Sequence, residues 1–257
     1  MDISIVIVNY KVKEYIVTLI NSIYKYSKSN IDFEIIIVDN NSNDGSVEYI
    51  KNKFDKIILI ENQVNFGFSY GVNQGASIAR GEFMLILNPD TLFVEDTLKS
   101  LIDISLKFKI FGAIGPKITF ENGATQKSFW RFPTLLNTVL SLLRLDFLNL
   151  KKNYFKNKFK NITSVDSISG AAFFVPRELF ISVDGFDENL FWMEDIDYCY
   201  RVKEKGYKVF FYPKTRIIHL KGKSSEKNFK VSISNQLISK IKYFNIHHKR
   251  LSALIIF

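Results

Sequence analysis

The first half of this 257-residue sequence predicts an α/β fold in which helices cover a mainly parallel sheet. Short apolar runs at 3–8, 34–38, 56–60 and 82–87 are typical of buried strands, and stretches with helical spacing separate them. A regular alternation of strand and helix is the pattern that produces parallel pairing. We therefore expect ligand-binding side chains at the carboxyl ends of these strands.

Each element of the first half has a local justification. The strand at 3–8 is almost continuously apolar, as a strand covered on both faces requires. The helix over 14–26 places apolar residues three and four positions apart. A run of turn-forming residues at 39–45 separates the second strand from the next helix. Asn88, Pro89 and Asp90 end the strand at 82–87, and the other helices are predicted over 46–54 and 70–79.

The second half is less regular. Residues 131–162 combine an apolar stretch with a Lys-rich one, so we interpret them as an insertion that forms a lid or a docking segment. The predicted elements that follow are strands at 168–175, 208–212 and 216–219, helices at 176–181 and 193–205, and an amphipathic helix from residue 228. We expect a main domain over 1–225 and a helical tail over 226–257.

Composition limits the classes of protein to which this chain can belong. Hydrophobic residues make up 47% of it, with 12 glycines and five prolines, which excludes a disordered or collagenous chain. Cys199 is the single cysteine, so an internal disulfide is excluded and a reducing compartment fits best. No secretory signal opens the chain, and no apolar run reaches the ~18 residues of a membrane-spanning helix. We expect a cytoplasmic protein.

The net charge of +9 is concentrated in the second half of the chain. Residues 144–160 carry six Lys and Arg against one Asp, and residues 201–257 carry 14 against two acidic residues, whereas residues 161–200 carry one against eight. Concentrated positive charge indicates anionic lipid head groups, nucleic acid or a polyphosphate ligand, with Lys-rich solubilisation as the alternative. No recognised nucleic-acid-binding module accompanies this charge, so nucleic acid is not expected as a partner.

Acidic side chains lie where the predicted strands end. Asp39 follows the second strand, Asp90 follows the fourth, and Glu194 and Asp195 open a later helix. Carboxylates in such positions hold Mg²⁺ or Mn²⁺ against a diphosphate, and His219 is a candidate further ligand. A carboxylate desolvated by aromatic neighbours is a candidate general base. Turn-forming Asp residues, an acidic helix N-terminus and a structural His are the alternatives.

The motifs of several other enzyme classes are missing from the sequence. It has no GxxxxGK[ST] loop and no GxGxxG after the first strand. These absences disfavour P-loop phosphoryl transfer and dinucleotide-dependent dehydrogenation. Cys199 has no evident His partner, which disfavours thiol catalysis.

Longer segments carry a resemblance over most of the chain. They read SIVIVNY at 4–10, IVDNNS at 37–42, NFGFSYGVNQG at 65–75, ARGEFMLILNPDT at 79–91, SGAAFFVPRELF at 169–180 and GFDENLFWMEDIDYCYR at 185–201, followed by His219. In this order and spacing the chain resembles the family 2 inverting glycosyltransferases of GT-A fold. Within them it is similar to the rhamnosyltransferase-like group that builds bacterial surface polysaccharides. The resemblance implies a GT-A, Rossmann-like sheet with a C-terminal helical tail.

The resemblance implies a nucleotide-sugar site. Tyr10 and Asp39 correspond to the residues that recognise a uracil or thymine base, with Asp39 accepting the N3–H. Because both bases present the same edge, dTDP- and UDP-sugars both remain candidate donors. Further residues of this implied site are Asn9, Asn65, Gly67, Asn73, Asn88 and Gly170.

The resemblance also implies catalytic and metal-binding roles. Asp195 corresponds to the catalytic base and Glu194 to its supporting neighbour. Asp90 and His219 correspond to the ligands of a divalent cation, Mg²⁺ or Mn²⁺. Asn88 departs from the pattern, because many relatives have Asp at this position.

Two further residues have alternative interpretations at this stage. Trp192 is a candidate platform for the acceptor, with a core position as the alternative. Arg201 either contacts phosphate or braces Asp197, and bracing is the favoured interpretation on a helix this rich in charge.

The implied reaction is a single displacement that moves a sugar, rhamnose by subgroup likeness, from a dTDP- or UDP-sugar to a hydroxyl of a saccharide or lipid-linked acceptor. Family acceptors are frequently lipid-linked, which gives the basic segments at 144–160 and 201–257 a role in peripheral contact with the anionic inner face of the cell membrane. A sugar-phosphate nucleotidyltransferase and a non-catalytic nucleotide-sugar-binding scaffold are the alternatives. The first normally has a Gly-rich basic loop after strand one, and a scaffold does not need intact acidic loops.

Overall fold

The structure is a computed structural model that describes residues 1–108, 110–142, 160–220 and 229–247. The strands of its first half are β1 (Ile3–Asn9), β2 (Phe33–Asp39), β3 (Ile57–Glu61) and β4 (Phe83–Leu87). The helices between them are α1 (Lys13–Tyr26), α2 (Ser46–Lys53) and α3 (Phe68–Ile78).

The first four strands lie side by side in the order β3-β2-β1-β4, and every neighbouring pair is parallel. All residues of β1 and β4 are buried, which explains why both segments are almost continuously apolar. The α/β class and the parallel arrangement of the first half are confirmed.

The strands of the second half are β5 (Thr91–Phe93), β6 (Phe111–Thr119), β7 (Phe129–Trp130), β8 (Thr163–Val165), β9 (Ser167–Ile168), β10 (Ala172–Pro176) and β11 (Lys208–His219). Its helices are α4 (Thr97–Ser105), α5 (Leu135–Leu142), α6 (Arg177–Ser182), α7 (Glu194–Glu204) and α8 (Phe229–His247). The main sheet continues from β4 through β10, β6, β11 and β5, and β8 also pairs with β11. Because β10 runs antiparallel to both β4 and β6, the complete sheet is mixed.

The sequence analysis does not predict β5, α4 or β6. β5 has three residues, and β6 contains two glycines and a proline, which are poor strand formers. The start of α4 does carry a local signal, because the side chain of Asp96 accepts a hydrogen bond from the N–H of Lys99 at 3.2 Å.

β11 unites the two short strands predicted at 208–212 and 216–219. Its register against β6 shifts between Tyr212 and Arg216. Pro213 lies in this interval and has no N–H to donate to the ladder. The proline therefore explains why the sequence predicts two short strands where the structure has one.

Apolar side chains cover both faces of the sheet. Ile5 belongs to one core cluster and its neighbour Val6 to the other, as alternation along a strand requires. A third, smaller cluster lies away from the sheet and joins α8 to the segment before α7. Its buried members are Leu190, Met193, Tyr243 and Phe244.

The predicted insertion at 131–162 and the predicted tail at 226–257 are described only in part. α5 lies at the start of the apolar stretch, and α8 lies in the predicted tail. The basic residues Lys151, Lys152, Lys156 and Lys158 lie outside the described residues. The domain boundaries therefore stay predictions. Within the described ranges, no helix has the length and apolar character needed to cross a bilayer.

Candidate active site

The carboxyl ends of β1, β2 and β4 meet at one edge of the sheet. In the register of β1, Asn9 is paired with Asp39 of β2, and Ile7 is paired with Leu87 of β4. Parallel strands bring their carboxyl ends together, and the loops beyond them form the usual ligand-binding crevice of open α/β sheets.

Two strands from the second half of the chain reach the same edge. Antiparallel β10 begins here, because Ala172 is paired with Leu87. β11 ends here, because His219 is paired with Thr91 just beyond the turn that follows β4. The edge therefore gathers loops that are distant from one another in the sequence.

Asp39 is 3% exposed, and its carboxylate accepts hydrogen bonds from Asn9 and Ser42. Asn9 Nδ2 donates to Oδ1 at 2.7 Å. Ser42 donates to Oδ1 from its hydroxyl at 2.5 Å and to Oδ2 from its backbone N–H at 2.9 Å. A carboxylate has about four acceptor sites, so capacity for a further donor is left on Oδ2. Asn9 is itself fully buried and its hydrogen bond orients the carboxylate of Asp39, while the expected contact of Asn9 with the nucleotide sugar stays a prediction.

Tyr10 and the loop around Gly67 flank the end of β2. Tyr10 directly follows β1 and is 39% exposed. Asn40 Nδ2 donates to the carbonyl of Gly67 at 3.0 Å, and Asn65 Oδ1 accepts from the N–H of Gly67 at 2.9 Å. The φ angle of Gly67 is +92°, a backbone conformation that residues other than glycine rarely adopt. This loop is therefore held against β2 by its polar contacts.

Asn73 lies on α3 and holds the segment before α7. Its Nδ2 donates to the carbonyl of Phe186 at 2.8 Å and to Glu188 Oε1 at 3.0 Å, and its Oδ1 accepts from the N–H of Phe186 at 2.9 Å. A Cβ at Gly185 would lie 2.3 Å from Asn73 Oδ1, so glycine permits this close approach. These contacts are between parts of the protein, and the expected role in lining the sugar stays a prediction.

Asp90 and His219 are in direct contact. His219 Nε2 lies 3.3 Å from Asp90 Oδ1, and both side chains are largely buried. The backbone N–H of Leu220 donates to the carbonyl of Asp90 at 2.9 Å, which ties the end of β11 to the turn after β4. Gln126 contacts the other side of the imidazole, with Oε1 3.2 Å from Nδ1.

The pair formed by Asp90 and His219 fits a divalent cation with two protein ligands. A carboxylate oxygen and an imidazole nitrogen 3.3 Å apart would both be stabilised by a cation between them, and phosphate oxygens and water would supply the other ligands of Mg²⁺ or Mn²⁺. Asn88 lies in the same turn. Across the described ranges, no group of three or more His, Cys, Asp or Glu side chains forms a metal cluster.

Asp195 lies in the first turn of α7 and accepts a hydrogen bond on each carboxylate oxygen. The N–H of Gly170 donates to Oδ2 at 2.9 Å, and the N–H of Ile196 donates to Oδ1 at 2.7 Å. Gly170 belongs to the loop before β10, and the next residue, Ala171, accepts from the N–H of Asn88 at 3.0 Å. The loop at 169–171 therefore connects Asp195 with the turn that carries Asp90.

Burial raises the pKa of both carboxyl groups at the start of α7. Desolvation, together with the charge of the adjacent Asp195, raises the pKa of Glu194 to about 8. Desolvation also raises the pKa of Asp195 to about 6, although hydrogen bonds from backbone N–H groups oppose the rise. Glu194 Oε2 is buried and has no hydrogen-bond partner among the described residues.

Trp192 precedes these carboxylates and is 44% exposed, so the alternative of a core position is wrong. Its φ angle is +77°, a left-handed conformation that is uncommon for a large side chain. The neighbouring Phe191 is anchored from α8, because Ser239 Oγ accepts from its N–H at 2.8 Å. Whether Trp192 contacts an acceptor stays a prediction.

Arg201 braces the protein, as the sequence analysis favoured. Its Nε donates to Asp197 Oδ2 at 2.8 Å, and its two terminal nitrogens donate to the carbonyls of Val183 and Gly185. The other oxygen of Asp197 lies 2.6 Å from His247 Nε2 of α8. Asp197 therefore links α7 to α8 and is 1% exposed.

The structure thus brings Asp90, Asp195 and His219 into one connected set of contacts, while Asp39 lies further along the same edge. The sequence analysis missed Gln126, because a glutamine in an irregular stretch carries no local signal. It also missed the contribution of α8, because its contacts with 189–191 depend on tertiary packing.

Two known protein-family models match most of this chain. The family model described as glycosyl transferase family 2 matches residues 4–182. A second model, described as the N-terminal domain of galactosyltransferase, matches residues 153–223. The two matched ranges include the ends of β1, β2, β4 and β11 and the start of α7.

Two relatives are each 24% identical to this chain over the aligned residues. One is an N-acetylglucosaminyl-diphospho-decaprenol L-rhamnosyltransferase of Mycobacterium tuberculosis, aligned over 74% of this chain and 67% of its own length. The other is the rhamnosyltransferase WbbL of Escherichia coli K12, aligned over 94% of this chain and 92% of its own length.

A solved structure of GalNAc-T7 with UDP, GalNAc and Mn²⁺ superposes with a TM-score of 0.70 at 18% identity. It covers 95% of this chain, and this chain spans 48% of that protein. At this level of identity the likeness concerns the fold, and it confirms the expected GT-A architecture.

Proposed function

Because this chain belongs to glycosyl transferase family 2, we propose that it is an inverting glycosyltransferase that moves a sugar from a nucleotide donor to a hydroxyl group. The observation that carries the proposal is the position of Asp195. Its Oδ2 accepts from Gly170, and the next residue of that loop accepts from Asn88 in the turn of Asp90. This connection supports the proposal that the base lies beside the site of the diphosphate, as direct displacement requires.

Asp195 is proposed as the catalytic base. Each of its oxygens accepts one backbone N–H, so lone pairs remain for the proton of an acceptor hydroxyl. A pKa raised to about 6 by burial makes this carboxylate a stronger base than an exposed one while leaving it ionised at neutral pH. As the proton moves to Asp195, the acceptor oxygen attacks the anomeric carbon and the bond to the diphosphate breaks. One displacement inverts the anomeric configuration.

Glu194 is proposed to support this base in its neutral form. Burial and the neighbouring carboxylate raise the pKa of Glu194 to about 8, so at neutral pH it carries a proton and does not add a second charge beside Asp195. Its Oε2 is buried and has no hydrogen-bond partner among the described residues, so no bond in the structure favours the ionised form of Glu194 at this atom.

Asp90 and His219 are proposed to hold Mg²⁺ or Mn²⁺. When bound, such a cation supplies positive charge that stabilises the departing nucleoside diphosphate. The 3.3 Å separation of His219 Nε2 from Asp90 Oδ1 supports this assignment, as does the Mn²⁺ in the GalNAc-T7 structure.

The nucleotide is proposed to be UDP or dTDP. Asp39 Oδ2 keeps capacity for the N3–H of uracil or thymine, and the exposed ring of Tyr10 is available to stack on the base. Asn65 and Gly67 lie in the loop beside β2, which supports a role in lining the donor. Rhamnose is the proposed sugar, because both relatives described above are named as rhamnosyltransferases.

The acceptor is proposed to be a saccharide, either free or lipid-linked, in the synthesis of surface polysaccharide. The mycobacterial relative is named for a diphospho-decaprenol acceptor, which supports a lipid-linked substrate. We propose that the chain works in the cytoplasm, in contact with the anionic inner face of the membrane through the basic segments at 144–160 and 201–257. Replacing Lys151, Lys152, Lys156, Lys158 and Lys160 by Gln should weaken liposome binding by up to ~1 kcal/mol per charge. Unchanged co-sedimentation would refute this contact.

The direct test of activity offers the purified chain a panel of dTDP- and UDP-sugars with and without Mn²⁺, and measures which phosphate product appears. Release of nucleoside diphosphate supports sugar transfer or donor hydrolysis. Release of pyrophosphate supports a nucleotidyltransferase, and no release from any donor supports a binding scaffold. Asp195→Asn is the matched inactive control, because the amide oxygen still accepts from Gly170.

A further inference from the structure

Gln126 contacts His219 through both ends of its amide, and we infer that it is a positioning residue that sets the imidazole in the tautomer needed for a cation ligand. The inference rests on the proposed function, in which Asp90 and His219 hold a divalent cation. Nothing in the sequence pattern assigns Gln126 a role.

The hydrogen-bond pattern defines the proton on the ring. Gln126 Nε2 donates to the backbone carbonyl of His219 at 2.6 Å, and the other end of the amide, Oε1, lies 3.2 Å from Nδ1. A carbonyl only accepts, so the amide nitrogen must face the backbone and the amide oxygen must face the ring. A glutamine oxygen also only accepts, so the imidazole Nδ1 must carry a proton.

A proton on Nδ1 leaves a lone pair on Nε2 of the neutral ring. Asp90 Oδ1, which is also an acceptor, lies 3.3 Å from Nε2. A cation satisfies both atoms at once. Without Gln126, the neutral ring would be more stable with its proton on Nε2, where it can donate a hydrogen bond to Asp90. That hydrogen bond would use the two atoms that are needed to bind the cation.

The segment that carries Gln126 is held firmly in the site. Gln126 is 7% exposed. Two residues later, the carbonyl of Ser128 accepts from the N–H of Ser169 at 2.9 Å, next to the Gly170 that donates to Asp195. β7 then pairs with β9. A short stretch of chain therefore supports the cation ligand on one side and the base on the other.

The test compares wild type with Gln126→Met, which has a similar length but no hydrogen-bonding group at its end. Gln126→Glu tests rescue, because a carboxylate still accepts from Nδ1–H. Thr125→Val is the matched control, because Thr125 is exposed and adjacent on the same stretch. Thermal unfolding checks that each variant is folded.

Two measurements are made without a donor sugar or an acceptor. Long-range ¹H–¹⁵N NMR at pH 8 without metal reads the tautomer of His219. Titration of Mn²⁺ in the presence of UDP reads cation affinity. We expect the Nδ1–H tautomer in wild type, Thr125→Val and Gln126→Glu, and the Nε2–H tautomer in Gln126→Met. The affinity of Gln126→Met for Mn²⁺ should fall by about 10- to 100-fold.

The inference is overturned if the wild-type ring carries its proton on Nε2 or on both nitrogens. It is also overturned if Gln126→Met keeps the wild-type tautomer or binds Mn²⁺ as tightly as wild type does. The wild-type spectrum is decisive even if Gln126→Met fails to fold. A chain that releases no nucleoside diphosphate from any donor counts against the proposed function, whereas the tautomer and the Mn²⁺ affinity are measured independently of transfer.

Discussion

Gly170 and Asp195 are joined by a hydrogen bond of 2.9 Å from the backbone N–H to Oδ2. A Cβ on Gly170 would lie 3.6 Å from the same oxygen, so the loop before β10 approaches the carboxylate closely. This contact fixes the orientation of the Asp195 side chain and leaves one acceptor site on Oδ2 unused. The position of the proposed base is therefore set by an element that is distant in sequence from α7.

Asp195→Asn should abolish most of the turnover while leaving donor binding within a few fold. The amide preserves the contact with Gly170 but is not a base at neutral pH, and general bases contribute about 10² to 10⁴ in rate. Steady-state kinetics and nucleotide titration measure the two effects. Glu178→Gln, on the exposed side of α6, is the control and should behave as wild type. Equal turnover in Asp195→Asn would remove this residue from the mechanism.

The pH profile of turnover should rise through the pKa of Asp195. Burial raises that pKa to about 6, and the base must be ionised to accept a proton, so activity is lost as pH falls below about 6. The residual activity of Asp195→Asn should not show this acidic limb. A wild-type profile that is flat between pH 5 and 7 would contradict the assignment.

Glu194→Gln should stabilise the folded chain at alkaline pH. The folded-state pKa of Glu194 is raised to about 8 by burial and by Asp195, above the ordinary value of 4.5. The stabilisation from its bound proton is therefore fully present below pH 4.5 and is lost as pH rises through about 8. Urea unfolding at pH 6 and pH 9 measures the difference, which should favour Glu194→Gln more strongly at pH 9. An equal difference at both pH values would show that Glu194 is not the group responsible.

Glu34 should make the opposite contribution at the other end of β2. Burial alone would raise its pKa, but hydrogen bonds from Ser4 and Arg80 and the charge of Arg80 lower it overall. The stabilisation is present above the ordinary pKa of 4.5 and is lost as pH falls through the lower folded-state value. Glu34→Gln should therefore flatten the acid side of the stability curve. Parallel curves for wild type and variant between pH 2 and 6 would contradict this.

Phe244→Ala should detach α8 and disturb the segment that carries Trp192. Phe244 is fully buried against the residues before α7, and truncating a buried Phe costs about 3 to 5 kcal/mol. Ile246→Ala is the control, because Ile246 is 53% exposed and should change stability by no more than about 0.5 kcal/mol. Urea unfolding measures both variants. A cost for Phe244→Ala as small as that of the control would show that α8 is not docked.

The first half of the fold could be predicted because its signals are local. β1 and β4 are buried on both faces and read as apolar runs, and a cluster of turn formers follows β2. β6 escaped prediction because two glycines and Pro116 interrupt its pattern, and its place is decided by pairing with β10 and β11. That pairing depends on tertiary structure and not on the local sequence.

Candidate site residues could be predicted where a residue ends a strand, follows a strand or opens a helix, as Asp39, Asp90 and Asp195 do. The support of those residues could not be predicted. The bond from Asn9 to Asp39 spans 30 positions, and the contact of Gln126 with His219 spans 93. Such partners are brought together by sheet register, which no short sequence window contains.

The most direct test of the central claim is the anomeric configuration of the product. A nucleotide sugar of known configuration is converted on an acceptor, and the one-bond C–H coupling at the anomeric carbon is read by NMR. A base at Asp195 that activates the acceptor for a single displacement predicts complete inversion. Retention of configuration would contradict the account, because it requires a step that this arrangement of residues does not provide.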